Sequence, residues 1–496
     1  MENIKRKMAK GAAWMISFKL LHRSLTLVSV IVLARLLVPA DFGLVALATA
    51  FIAMLELFTA FSFDVVLIQH QQPKRVHYDT VWTIQIIFGF VICGVLLTLA
   101  TPLATFYEES RLFNILIVLS LGTLLRGFEN VGVVNFRKEL QFDRDFMFMF
   151  IPRLAGFCTT IPAALWLRSY WALIMGILVM NLSSIVASFV ISSYRPRLSL
   201  GAYKELFNFS KWLLFNNSLF FLRHRASDFI IGKLAGPTSL GTFSVAYEIS
   251  SIPTTELVAP INRAVLPGYA KMAHSLSEMR QGYLDVIGLI ALLAIPAAVG
   301  IAVTSELFVF VLLGEKWAAA APLIAILALA GAIGAMETNI ASVYMALGKP
   351  HILTALFGFY VAMLVPMIIM LTYHYGALGA AWACLLTALI NLPVYYTTMF
   401  RTLKLPVLRF AATIWRPFVA AGAMYLGVNY YVSDLMPKSS SVDALPQLLL
   451  AVLLGISIYV TSVAALWMLS SKPSGAESTV LGEFRHRLLP AKSNGP

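Results

Sequence analysis

GAAWMISFKLLHRSLTLVSVIVLARLL, residues Gly11 to Leu37, is long enough to cross a bilayer as a helix, yet it carries Lys19, His22 and Arg23 inside the apolar run. At i, i+3 and i+4 these three share one helix face. A charged side chain near the bilayer centre costs about 2.5–3.5 kcal/mol, so that face needs a partner or a water-filled cavity. The next block, LARLLVPADFGLVALA (Leu33–Ala48), returns 198 residues later as IGKLAGPTSLGTFSVA (Ile231–Ala246). The two align without a gap, Arg35 on Lys233, Pro39 on Pro237, Gly43 on Gly241 and Ala48 on Ala246. The segment in front of the second copy again carries charge, at Arg223, His224, Arg225 and Asp228. The chain contains a duplicated membrane unit with a charged leading helix.

Composition agrees. Of 496 residues 59% are hydrophobic and 12% charged, more apolar surface than a soluble domain can bury. The net charge of +13 therefore bears on orientation and anionic lipid, not on nucleic acid. Cys93, Cys158 and Cys384 all fall in apolar spans and read as buried structural thiols. The basic N-terminus precedes a run too long and too charged for a cleaved signal, with no small-residue cleavage site, so it reads as retained. Apolar windows predict an all-α, polytopic fold of about 14 transmembrane helices, near 11–37, 42–63, 80–101, 112–134, 146–168, 170–193, 211–234, 241–265, 283–305, 320–346, 351–373, 377–400, 411–432 and 446–469. The nine tryptophans lie near span ends, where an interfacial belt belongs.

Loop charge sets the orientation. One set of connections holds Lys74, Arg75, Arg137, Lys138, Arg144, Arg195, Arg197, Lys204, Lys211, Lys271, Arg280, Lys349, Arg401, Lys404, Arg409 and Arg416, with Lys5, Arg6, Lys7, Lys10, Lys472, Arg485, Arg487 and Lys492 at the termini; the alternate set holds only Arg35, Arg111, Arg168, Lys233, Lys316 and Lys438. The imbalance is about four to one, which places both termini in the cytoplasm. The repeat extends further: Trp14 matches Trp212, Tyr170–Phe189 resembles Tyr375–Val394, and Glu129 falls on Glu337. The expected organisation is two six-helix lobes, 1–194 and 211–404, joined by a cytoplasmic linker at 195–210. Two additional helices follow at 405–470, then a cytoplasmic tail at 471–496. Six is even, so the lobes form a parallel repeat.

No GxxxxGK[ST] loop, no HExxH and no paired metal spacing is present, and no loop is long enough for a soluble catalytic domain. Neither enzyme activity nor a metal or cofactor is expected. The informative residues are charges inside the spans, thirteen in number, which in lipid would cost on the order of 40 kcal/mol and so must face one another or water. Arg126 with Glu129, and Arg225 with Asp228, are spaced as i, i+3 pairs. Lys19, His22 and Arg23, with Arg223, His224 and Arg225, lack enough local acid. With Arg126 and Arg153 they fit a cationic cavity for a multivalent anion, because the guanidinium fork binds phosphate through two hydrogen bonds. Glu56, Glu256 and Asp228 are the candidates for ion coupling. The amides Asn216, Asn217 and Asn339 and the ring of Tyr247 are candidates to face sugars.

The chain resembles the Wzx-type oligosaccharide/polysaccharide flippases of the MOP superfamily, in their colanic-acid-exporter-like branch. The resemblance rests on Leu33–Ala48, its copy within Gly232–Pro253, NFRKELQFDRDF (Asn135–Phe146), AVLPGYAKMA (Ala264–Ala273) and LGEKWAAAAPLIAILA (Leu313–Ala328). It implies two six-helix bundles around a central cavity in the inner membrane. It implies alternating access and transfer of a polyprenyl-pyrophosphate-linked oligosaccharide to the outer leaflet, for exopolysaccharide or lipopolysaccharide synthesis. The lipid-linked oligosaccharide, membrane lipids and polysaccharide polymerase or export machinery are the implied partners. On that reading Lys19, His22, Arg23, Arg126, Arg153, Arg223 and Arg225 would hold the pyrophosphate. A pyrophosphate of charge about −2 leaving an inside-negative cytoplasm gains roughly 4–5 kcal/mol per 100 mV. The rivals are a multidrug exporter of related fold, which should have an acid-dominated cavity, and a membrane glycosyltransferase or polymerase, which should show a large external loop. A scaffold of the assembly complex without transport of its own is a third.

Overall fold

Apolar runs in lipid fold as helices because a helix satisfies its own backbone N–H and C=O groups. The computed structural model describes residues 2–57, 67–68, 73–434, 444–473 and 475–478, and no strand occurs among them. In chain order the helices are α1 (Glu2–Leu36), α2 (Pro39–Leu57), α3 (Arg75–Phe106), α4 (Ser110–Arg126), α5 (Val134–Lys138), α6 (Phe142–Leu167), α7 (Trp171–Ile191) and α8 (Tyr203–Leu234). They continue as α9 (Gly236–Ser250), α10 (Ala259–Met272), α11 (Leu276–Val303), α12 (Ser305–Phe308), α13 (Ala320–Ala346), α14 (Pro350–Leu403), α15 (Val407–Asp434) and α16 (Leu445–Leu469). Among the described residues nine helices are long and apolar enough to cross a membrane, or ten if the bent pair of α4 with Val131–Lys138 is one span. The 54-residue α14 breaks at Gly376, whose φ of 59° only glycine adopts at little cost, between the spans predicted at 351–373 and 377–400.

The chain divides into two compact units, Met1–Ser244 and Val245–Pro496. The first runs past the linker predicted at 195–210 and takes in α8. In it α6 and α7 pack through small residues: a Cβ at Gly176 would overlap the Thr160 hydroxyl, which donates to the Gly156 carbonyl at 2.8 Å. Such residues let helices approach where lipid supplies no hydrophobic drive. Cys93 is buried and Cys384 half-buried, but Cys158, expected to be buried, is exposed, since α6 packs through Gly156 and Thr160 instead. The residues after α7 form an extended strap tied to α3. Backbone N–H groups of Arg197, Ser199 and Ala202 donate to Asp79 (2.9 Å), Thr83 (2.8 Å) and Thr80 (3.2 Å), all three buried.

Polar contacts in this unit join segments of one predicted side. Arg75 donates to the Arg195 carbonyl at 3.0 Å and Lys138 to that of Leu67 at 3.3 Å. On the other side Lys233 donates to the Phe106 carbonyl at 2.6 Å and meets Glu108 at 3.0 Å. There Glu109 caps α4, accepting from the Arg111 guanidinium at 2.8 and 2.7 Å and from its N–H at 3.2 Å. The Arg111 side-chain hydrogen bonds hold the Glu109 carboxyl below its ordinary pKa. A depressed folded pKa gives stability that is present above the ordinary value and lost as pH falls through the lowered one. Amide exchange in the first turn of α4 is therefore expected to quicken below about pH 4, a step that Glu109→Gln should abolish.

The second unit has an aromatic core in which Tyr269, Tyr283, Tyr344 and Tyr395 are almost fully buried. Beside it α11, α15 and α16 enclose a cavity of about 770 Å³, apolar apart from a few groups such as Thr304 and Glu477. Past α16, Glu477 forms a buried bidentate pair with Arg416, at 2.7 and 3.2 Å.

Candidate functional site

The chain cannot run straight from α4 into α5. Arg126 closes α4, the path bends by 61°, and residues 127–130 are irregular before the 3-10 turn Val131–Val133. Irregular backbone at membrane depth is tolerated where it is buried in protein or lines a cavity, and both hold here. Asn130, fully buried, organises the break. Its N–H donates to Ser188 (2.9 Å), its amide to the Tyr194 carbonyl (2.7 Å), and its side-chain oxygen accepts from the Gly132 N–H (2.9 Å). On one side of the break lies a polar cavity of about 500 Å³, lined by Glu56 of α2, Gln85 of α3, Arg126, Glu129, Arg137 and Asp145 among others.

Two ion pairs stand in this wall. Arg126 donates to Glu56 at 2.7 Å, with the side chains 52% and 34% exposed, so a ligand in the cavity can reach both. Arg137 meets the buried Asp145 at 3.1 Å. The i, i+3 pairing expected between Arg126 and Glu129 gives way to these. Arg126 reaches across to α2, while Glu129 accepts from Ser184 of α7 at 2.7 Å, because the bend starts between the two residues. Arg225 and Asp228 do pair along α8, at 2.9 Å.

The other proposed phosphate ligands do not line this cavity. Arg153 of α6 stands 3.0 Å from His22 Nε2 and lies over the Phe18 ring, 5.7 Å from its centroid. Arginine has only donors, so a ring nitrogen of His22 must accept in this contact. Lys19 and Arg23 are half-buried on α1, with Arg23 Nε and one terminal nitrogen screened from solvent; Arg223 is half-buried on α8. Glu256 lies in the second unit on a π-helical segment, Pro253–Val258, a distortion frequent at functional sites. Tyr247 is exposed, and Asn339 is buried between Tyr269 (3.0 Å) and Asn262 (3.0 Å), a network position instead of an open one. The side chains of Asn216 and Asn217 lie outside the described residues. Sequence reasoning missed Asn130, Arg137 and Ser184; the Asn-then-Gly of GFENVG was the available sign of a break inside a span.

Fold and intramembrane polar cavity together define a polytopic membrane protein of transporter architecture. The chain matches 92% of its length to the solved lipid II flippase MurJ in an inward closed conformation, covering 99% of that chain with a TM-score of 0.70 at 14% identity, a likeness of fold. A family model described as "Polysaccharide biosynthesis protein" matches residues 32–322, more than half of the chain, and the protein belongs to that family. Among its relatives is the lipopolysaccharide biosynthesis protein WzxC of Escherichia coli (strain K12), 25% identical over 84% of this chain and 86% of WzxC. Another is the succinoglycan biosynthesis transport protein ExoT of Rhizobium meliloti (strain 1021), 23% identical over 92% of each.

Proposed function

We propose that this protein carries a polyprenyl-pyrophosphate-linked oligosaccharide from the cytoplasmic to the outer leaflet of the inner membrane, for assembly of an exopolysaccharide or lipopolysaccharide. It acts by transport and not by catalysis, with both termini in the cytoplasm and the lobes 1–194 and 211–404 alternating access. Polymerase or export machinery takes the product. The observation that carries the reading is the Arg126–Glu56 pair in a half-open cavity within the spans of a polysaccharide biosynthesis family member. The names of WzxC and ExoT point the same way. A multidrug exporter for organic cations would need unpaired acid, whereas Glu56 is held by Arg126 and Asp145 by Arg137.

The pair suggests how loading and resetting are linked. A pyrophosphate offers Arg126 a stronger bidentate acceptor than the single contact from Glu56. As the anion takes Arg126, the Glu56 carboxylate gives up that contact and becomes the candidate for ion coupling, and release of substrate restores the pair. Reconstituted protein supplied with lipid-pyrophosphate-oligosaccharide tests this by headgroup exposure in the outer leaflet. Arg126→Gln should slow transfer about tenfold or more, the loss of one charge-assisted contact. Glu56→Gln should retain substrate binding and lose the dependence of rate on the ion gradient. Transfer that persists at full rate with potential and gradients both collapsed, or in the Arg126→Gln protein, would overturn the assignment.

A further inference from the structure

On the far side of the break lies a second polar cavity, of about 410 Å³, that shares none of the proposed transport residues. Three separate segments build it: the start of α3 with Arg75, the stretch from Gly132 to Arg144, and the strap Ser192–Arg195. Its lining sets the guanidinium groups of Arg75, Arg144 and Arg195 against the carboxylate of Glu139, and Arg75 also meets the buried Asp79 at 3.5 Å, which leaves one positive charge in excess. All three arginines belong to the set of basic connections that loop charge places at the cytoplasm.

The walls are fixed from below. Gly132 packs so tightly on the strap that an added Cβ would lie 2.5 Å from Tyr194 Cβ and 2.6 Å from Ser192 Oγ. The Tyr194 hydroxyl is held by the buried Asp79 at 2.7 Å, and its carbonyl by Asn130. Two of the arginines are positioned with donors to spare: Arg75 pairs with Asp79 at 3.5 Å and gives to Arg195 O at 3.0 Å, and Arg195 gives to Ser192 O and Tyr194 O at 2.7 and 2.9 Å. Glu139 is turned towards Gln141, which donates to it at 2.7 Å. Arg144 is exposed and has no hydrogen-bond or ion-pair partner among the described residues.

We propose that this cavity is a second anion site, in which Arg75, Arg144 and Arg195 hold a phosphate group at the membrane surface. Guanidinium forks match phosphate oxygens bidentately, and a basic pocket between spans at the cytoplasmic surface suits an anionic headgroup. The phosphate arrives either on a phospholipid or free in solution, and two arms separate the sources. In one, the full-length protein in phosphatidylcholine nanodiscs is titrated calorimetrically with inorganic phosphate. In the other, nanodiscs containing phosphatidylglycerol are delipidated and the lipid retained is read by native mass spectrometry. At least one arm should show binding; retention of phosphatidylglycerol alone names the lipid, and saturable inorganic phosphate alone the free ion. In the arm that binds, Arg144→Gln should weaken affinity about tenfold, the loss of one charge-assisted hydrogen bond. Glu139→Gln should tighten it, because it removes the carboxylate that opposes the anion. Arg168→Gln, at the other end of α6, should change nothing. The proposal is overturned if neither arm binds, if Arg144→Gln binds as the parent does, or if Glu139→Gln weakens binding. None of these readouts involves transfer between leaflets, so the outcome is independent of the transport reading.

Discussion

Replacing Glu477 with alanine is expected to release the segment after α16 from the second unit and to expose it to protease and amide exchange. Arg416 and Glu477 are 7% and 6% exposed and joined by two hydrogen bonds. Removing one partner of such a pair strands a buried charge and costs about 3–5 kcal/mol, far more than a surface pair contributes. Ser471 and Lys472 both have positive φ, 63° and 51°, a costly backbone for residues other than glycine. Trp467 steadies that turn by donating to the Pro473 carbonyl at 3.1 Å, and Ala476 lies against Gly288 of α11. Exchange of the amides at 475–478 and digestion of the segment by a protease of broad specificity should both accelerate in Glu477→Ala. Arg416→Lys, which keeps the charge and loses the fork, should fall between. The double change Arg416→Met with Glu477→Leu should return close to the parent, since an apolar pair of similar volume removes the desolvation cost together with the attraction. Exchange unchanged in Glu477→Ala would mean that other contacts hold the segment.

That pair could not be read from the sequence. Arg416 counts there as one more basic loop residue and Glu477 lies in what reads as a polar tail; only the fold brings positions 61 apart into contact. The helices, by contrast, were legible because apolar run length measures bilayer thickness directly, and the break of α14 falls at the glycine between two predicted spans. Intramembrane charge was legible as a list but not as a set of partners. Spacing of three residues suggested Arg126 with Glu129, yet it assumes an unbroken helix, and the bend after Arg126 sends that side chain to Glu56 instead. Along the unbroken α8 the same rule gave Arg225 with Asp228 correctly. The clustering of Lys19, His22 and Arg23 marked a face of α1, but not that Arg153 would meet His22 from α6. Local rules hold within an element; partners across elements depend on packing that one sequence does not display.

Alanine at Gly43 or at Gly241 is expected to destabilise the first unit, each by as much as overpacking costs at its upper range, about 3 kcal/mol. These are the glycines that align in the repeated block, and the structure sets the two copies against each other. A Cβ at Gly43 would overlap the Pro237 carbonyl oxygen, and a Cβ at Gly241 that of Pro39, the aligned proline. The contacts are reciprocal, so the starts of α2 and α9 cross about a local twofold relation, with backbone on backbone. Two effects of a Gly→Ala change compete here. Alanine favours the helix by about 1 kcal/mol over glycine. The overlap is with a carbonyl held in a helix and not with the end of a flexible side chain, so relief requires the helices to separate. Separation forfeits dispersion along the whole crossing, and the loss outweighs the gain in propensity. Because both changes open one contact, the double variant should lose less than the sum of the singles. Gly94 of α3, with nothing within 4 Å of where its Cβ would stand, is the control, and Gly94→Ala should raise stability slightly through propensity alone. Thermal unfolding of the parent and the four variants in one detergent decides it. If Gly43→Ala and Gly94→Ala shift the midpoint in the same direction, close approach is not what the repeated glycines serve.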